Sequence, residues 1–145
     1  MRVLLQRVDH ASVSVNGKTI AKCGSGLVIL LGVGHDDGDE QVRFLVEKIT
    51  HLRIFEDEDG KFNRSILDVK GEAIVVSQFT LFADTRKGRR PSFTEAAPPE
   101  IASPLVERFV ELLSAQGVPT QKGEFGAPML VEIHNNGPVT IWLER

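Results

Sequence analysis

The sequence predicts a mixed α/β fold in a single domain spanning residues 1–145, and three observations carry that prediction. Apolar and polar residues alternate with a period of two near the start of the chain. Residues 27–33 form an unbroken apolar run, and two later segments space their apolar residues by three and four. Strands interleaved with helical patterns are the mark of an α/β arrangement. A chain of 145 residues is long enough to bury a sizeable core.

Val3, Leu5 and Val8, followed by Ala11, Val13 and Val15, predict two strands. Asn16-Gly17 is a tight-turn pair leading into Thr19-Ile20-Ala21, so a hairpin is expected there. Gly24-Ser25-Gly26 turns the chain into Leu27–Val33, a strand covered on both faces. The acidic stretch His35–Glu40 opens a helix whose buried face is Val42, Leu45, Val46, Ile49 and Leu52, with its acids at the positive end of the helix dipole. Glu56–Gly60 is a polar turn without calcium-loop spacing. Glu72–Phe79 is the next strand, and a polar, basic loop from Thr80 to Pro99 follows; loops of that length are often functional. Ile101, Leu105, Phe109, Leu112 and Leu113 mark a second helix ended by Gly117, with Pro104 expected near its first turn. Val118–Gln121 is a short strand. Met129–Asn135 and Val139–Leu143 read as a final hairpin around Asn136-Gly137.

Composition narrows the function. Apolar residues make up 41% and charged residues 26%, ordinary for a globular protein in water. No run approaches the ~18 apolar residues of a membrane span, and Gln6 and Arg7 cut the N-terminal run too early for a signal peptide. The single Cys23 fits a reducing cytoplasm, and its strand-like surroundings predict packing rather than nucleophilic work. With a net charge of −3, the chain meets nucleic acid only through a local basic patch, and Arg86, Lys87, Arg89 and Arg90 provide one.

Standard catalytic patterns are missing. Gly24-Ser25-Gly26 and Gly32-Val33-Gly34 lack the third glycine of a dinucleotide loop. His10, His35, His51 and His134 show no two-ligand spacing, so no metal or cofactor is expected. Ser77 is not in a nucleophile elbow. From residue types alone, Ser77 and Thr80 are strand-end hydroxyls, and Asn136-Gly137-Pro138 is a turn in which Pro138 sits at a strand start or edge.

Ser77-Gln78-Phe79-Thr80, the segment Ala83–Phe93, the segment Gly123–Met129 and Asn136-Gly137-Pro138-Val139-Thr140 together resemble the D-aminoacyl-tRNA deacylase family. The resemblance runs end to end, starting at Met1-Arg2-Val3. Departures are the absence of tyrosine, with Phe82 at a position where Tyr is expected, and His134-Asn135-Asn136 ahead of the glycine and proline. The resemblance implies a barrel-like sheet core with two main helices, assembled as a homodimer. It implies hydrolysis of the ester between a D-amino acid and the terminal ribose of tRNA, a proofreading of chirality. By the same resemblance Ser77, Gln78, Phe79 and Thr80 line the catalytic pocket of one subunit. Gly137 and Pro138, joined by a cis peptide bond, enter from the partner and, with Met129, bear on rejection of L-amino acids. A filter that works by clash admits glycyl-tRNA as well.

On this reading the amides around Gln78 and Phe79 stabilise the oxyanion, and either the ribose 2′-hydroxyl activates water or Thr80 attacks as a nucleophile. Arg86, Lys87, Arg89 and Arg90 meet phosphates of the acceptor end. The expected partners are tRNA and a second copy, with neither DNA nor a membrane. An RNA-binding dimer without catalysis and a purely structural dimer are the readings from other classes.

Overall fold

The structure is a computed structural model that describes residues 1–145. Its organising element is one long strand, β1 (Arg2–Val15), rather than the two expected. Its register with the last strand of the chain shifts between Val8 and Ala11, and there the side chains change face. Val3 and Leu5 point into one core cluster, whereas Val8, Ala11 and Val13 point into another. The interrupted alternation that suggested two strands is this irregularity within one strand.

One edge of β1 carries two partners in succession. Val8 back to Arg2 pairs antiparallel with β3 (Gly26–Gly32), and Ala11–Val15 pairs with β2 (Lys18–Cys23). The β1–β2 turn has positive φ at Asn16 (50°) and Gly17 (76°), the conformation that an Asn-Gly hairpin requires. β3 then pairs in parallel with β6 (Glu72–Ser77), and β6 with β7 (Thr120–Lys122). Gly26 permits the close approach of β3 to β6, since a Cβ there would lie 1.8 Å from the Glu72 carbonyl oxygen. The Lys22 amide donates to the Gln121 side chain at 3.0 Å, so β2 bends toward β7 and the sheet nearly closes on itself.

The two faces of this curled sheet bury different clusters. Leu27, Ile29, Leu31, Ala73 and Val75 face the helices α1 (Asp39–His51) and α2 (Pro99–Ala115). Val28, Ile74 and Val76 face the barrel interior together with Cys23, whose burial pushes its thiol pKa up. α1 buries Val42, Leu45, Val46 and Ile49 as its spacing predicts. In α2 the face is rotated from the expectation: Ala102, Val106, Phe109 and Leu113 are buried, and Ile101 is 38% exposed. The helix begins at Pro99, so Pro104 lies inside it and not in the first turn. Neither helix is long and apolar enough to cross a membrane.

Two further expectations change. The expected final hairpin is a single strand, β8 (Leu130–Glu144), antiparallel to β1 along nearly its whole length. Asn136–Val139 form a bulge in it and not a turn, because Asn135 pairs with Val8 and Thr140 with Gln6, which leaves those four residues opposite Arg7. The loop after β6 is also not structureless. A 3-10 turn spans Phe79–Phe82, and Asp84 and Ser92 exchange backbone hydrogen bonds at 2.8 and 2.9 Å. The polar turn at Glu56–Gly60 is the tip of a separate small hairpin, β4 (Phe55–Glu56) with β5 (Phe62–Arg64).

Candidate active site

β3 and β6 run parallel and end side by side at Leu31 and Ser77. Crevices beyond the carboxyl ends of parallel strands are the usual ligand sites of α/β sheets. Here the crevice is a cavity of about 410 Å³ between the end of β6, the start of α2 and the segments carrying Phe93 and Phe125. Ser77, Gln78 and Phe79 line it; Thr80 stands beside them on the exposed side of the 3-10 turn. Apart from Ser77 and Gln78 the wall is apolar or glycine, and no side chain of the lining is titratable. The carboxylates with lowered pKa, Asp39, Asp57, Asp68, Asp84 and Glu144, all lie elsewhere.

Backbone geometry at the mouth follows from how β6 ends. The Gln78 amide donates to the Leu31 carbonyl at 2.8 Å, so it is already engaged and drops out of the expected oxyanion pair. Phe79 and Thr80 open the 3-10 turn, where the first N–H groups of a helix lack partners inside it. The Gln78 side-chain amide donates to the Thr80 hydroxyl, whose only side-chain partner it is. Arg2 fixes the turn from behind, donating to the Leu81 carbonyl at 3.1 Å with its guanidinium 4.3 Å from the Phe82 ring centre. Phe79 is 57% exposed and meets Phe93 edge to face at 5.0 Å. The Phe93 segment is held in turn by the His35 ring on the Thr94 carbonyl at 2.8 Å and by the Ala97 amide on Val33 at 2.8 Å.

The four cations of the basic loop are not equivalent. Arg86 makes a two-pronged contact to Asp84 at 2.9 and 2.7 Å, and this holds the Asp84 carboxyl well below the usual range. Lys87, Arg89 and Arg90 are exposed and form no ion pair.

Gly137 and Pro138 lie in the β8 bulge, joined by a cis peptide bond. Gly137 has φ +118°, and a Cβ there would sit 2.9 Å from Val139 Cγ2 and 3.0 Å from Arg7 Nη2, so conformation and space both demand glycine. The bulge is tied down on both sides. Asn135 Oδ1 accepts the Val139 amide at 2.9 Å, and Asn136 Nδ2 donates to Asp9 at 2.5 Å. Arg7, only 5% exposed, donates to the Asn136 carbonyl at 3.3 Å and to its Oδ1 at 3.0 Å.

This bulge and the cavity do not meet within one chain. Their registers differ by four residues along the strands and three strands across the sheet, which at strand spacings is roughly 20 Å. Met129 also lies outside the cavity. It packs on the barrel-side cluster and against Gly123, where a Cβ would meet its Sδ at 2.6 Å, and so braces the segment leading to Phe125.

Arg7 escaped sequence reasoning, although a signal existed: it occupies the inward position that follows Val3 and Leu5 in an apolar alternation. His10 and His134, far apart in the chain, stack with ring centres 3.7 Å apart beside the bulge.

A nearly closed, barrel-like mixed sheet backed by two helices, with an apolar cavity free of titratable side chains beyond its parallel strands, defines the class of mixed α/β single-domain proteins to which this fold belongs. The chain belongs to the D-Tyr-tRNA(Tyr) deacylase family, whose pattern matches residues 4–144; members are enzymes that cleave ester bonds. It is 60% identical over 144 residues to the D-aminoacyl-tRNA deacylase of Thermomicrobium roseum, covering 99% of this chain and 94% of that one. Identity to the D-aminoacyl-tRNA deacylase of Limosilactobacillus reuteri is 50% over 145 residues, the full length of both. Among solved structures, one described as c-Myc DNA Unwinding Element Binding Protein superposes with a TM-score of 0.93 at 42% identity, covering 100% of this chain and 99% of that one. Another, described as a probable eukaryotic D-amino acid tRNA deacylase, has a TM-score of 0.82 at 22% identity over 98% and 97% of the two chains, a likeness of fold.

Proposed function

We propose that this chain hydrolyses the ester joining a D-amino acid to the terminal ribose of tRNA, and that it does so in the cytoplasm as a homodimer. The observation that carries the reading is the cavity at Ser77–Phe79: apolar, about 410 Å³, and without a titratable side chain. Such a cavity suits a flat apolar group such as the terminal adenine, with Phe79, Phe93 and Phe125 around it. The ester then lies at the mouth, near the opening amides of the 3-10 turn.

Water adds to the ester carbonyl, the developing oxyanion is met by those amides, and the bond to the ribose oxygen breaks as that oxygen takes up a proton. One backbone donor contributes ~2.7–4 kcal/mol to such a transition state. The neighbouring ribose 2′-hydroxyl, a group of the RNA itself, relays that proton: it takes one from the attacking water and gives its own to the departing ribose oxygen. Thr80 fits a nucleophile poorly, since its hydroxyl is paired with an amide donor rather than a base.

Gly137 and Pro138 of a second copy refuse the L-side chain, because the pocket and the bulge are too far apart within one chain to act together. Met129 supports the pocket wall, and glycyl-tRNA passes the filter for want of a side chain. Lys87, Arg89 and Arg90, with Arg86 as the anchored member, contact acceptor-end phosphates.

Incubation with tRNA charged with D- or L-phenylalanine and readout on an acid gel tests the reading. Clearance of the D-ester with survival of the L-ester is expected. A D-ester protected by the protein identifies a binding module and overturns the proposal.

A further inference from the structure

The β4–β5 hairpin forms no ladder with the main sheet; its two strands pair only with each other. It nevertheless surrounds one side of Arg7. The Ile54 carbonyl, immediately before β4, accepts from Arg7 Nη1 at 2.8 Å. Glu56 Oε1 lies 3.3 Å from Nη2, and the Phe62 ring centre lies 5.3 Å from the guanidinium carbon. The other edge of the same guanidinium holds Asn136 and borders Gly137. A single planar group therefore has the hairpin on one side and the bulge on the other.

Three features indicate that this is more than a structural tie. Phe62 is 48% exposed on a strand whose three residues are all exposed, and what its half-covered ring does meet is the Arg7 cation, at cation–π range. Glu56 is the only carboxylate paired with Arg7, and a cation this buried needs such a partner. The bulge belongs to β8, which pairs with β1 alone, so no strand on its outer side helps to place it. Its position is set from within, by Asn135, Asp9 and above all Arg7.

We propose that Glu56 and Phe62 are positioning residues for the handedness filter: they orient Arg7, and Arg7 orients the main chain that Gly137 and Pro138 present to a substrate. The inference rests on the reading of Gly137 and Pro138 as the L-rejecting element. It deepens that reading by assigning specificity to a hairpin that does not line the substrate cavity.

The test compares single-turnover hydrolysis of tRNA charged with D- and with L-phenylalanine by wild type, Phe62→Ala, Glu56→Gln, the double variant and Phe62→Trp. The ratio of L to D rates is expected to rise about two- to fivefold in each of the first two and about tenfold in the double variant. Phe62→Trp, which keeps an aromatic face for the cation, keeps the wild-type ratio. A general loss of stability lowers both rates without moving their ratio. An unchanged ratio in the double variant, whatever its D rate, overturns the inference. Wild-type protein that hydrolyses both hands alike overturns the underlying filter, and that failure shows in the control arm alone. Phe62 and Glu56 are both surface-accessible in a peripheral hairpin, so all four variants are expected to fold, and each single variant reads the ratio independently.

Discussion

Thr80 and Gly137 show how much a single residue's surroundings restrict its chemistry. A hydroxyl becomes a nucleophile when a base takes its proton, and the partner of Thr80 is the Gln78 side-chain amide, which donates. Thr80→Val is therefore expected to retain hydrolysis of D-aminoacyl-tRNA within about tenfold, whereas loss of a covalent nucleophile costs several orders of magnitude. The same assay with a 2′-deoxy terminal adenosine should fall far more steeply. Gly137 is restricted differently, by a φ of +118° and by Arg7 and Val139 at contact distance. Gly137→Ala places a side chain in a strained conformation that costs about 1–3 kcal/mol, and the bulge must shift to admit it. A melting temperature lower by about 3–9 °C and a raised ratio of L- to D-ester hydrolysis are the expected outcomes. An alanine variant with unaltered selectivity would separate the bulge from the filter.

Elements differ in how far local sequence specifies them. α1 was legible because its burial follows one helical period, β3 because an unbroken apolar run is buried on both faces, and the Asn16-Gly17 turn because its two residues suit the required positive φ. β8 was not, since Asn136-Gly137-Pro138 carries the local chemistry of a hairpin turn. Both of its flanks instead pair with β1, a partner more than 100 residues away that no local pattern reveals. Family resemblance singled out the tetrad Ser77–Thr80, of which Ser77, Gln78 and Phe79 line the cavity. The cavity it borders was not, because its wall is assembled from the ends of β3 and β6, the Phe93 segment, α2 and the Phe125 segment. The basic loop was legible as a cluster, but its internal ion pair was not. Since Arg86 is engaged by Asp84, Arg89 and Arg90 carry more of the available charge. Neutralising both is expected to weaken tRNA binding and to reduce the slope of log affinity against log salt by roughly 1.4–1.8, at ~0.7–0.9 per phosphate contact. Arg86→Ala should change that slope less. Filter-binding titrations over a salt series decide it, and an unchanged slope in the double variant would reassign the loop to solubility.

At the scale of the whole molecule, the separation of roughly 20 Å between cavity and bulge limits what one chain can do with both at once. Both features lie on one continuously hydrogen-bonded sheet, so bringing them together within the chain would break its strand pairing. If both act on one substrate, the bulge must come from another copy, and a twofold dimer supplies it reciprocally. Mixing two damaged proteins distinguishes this from a self-sufficient chain. Ala96→Trp fills the cavity while its bulge stays intact, and Gly137→Ala keeps the cavity while its bulge is displaced. Alone, the first is expected to be inactive and the second to hydrolyse L-esters as well as D-esters. In hybrids, the open cavity of the second protein receives the intact bulge of the first. Subunit exchange with an excess of Ala96→Trp should therefore lower L-ester hydrolysis while D-ester hydrolysis persists. A chain that filters with its own bulge gives no such recovery, because adding an inactive protein leaves the ratio of the two rates where Gly137→Ala set it.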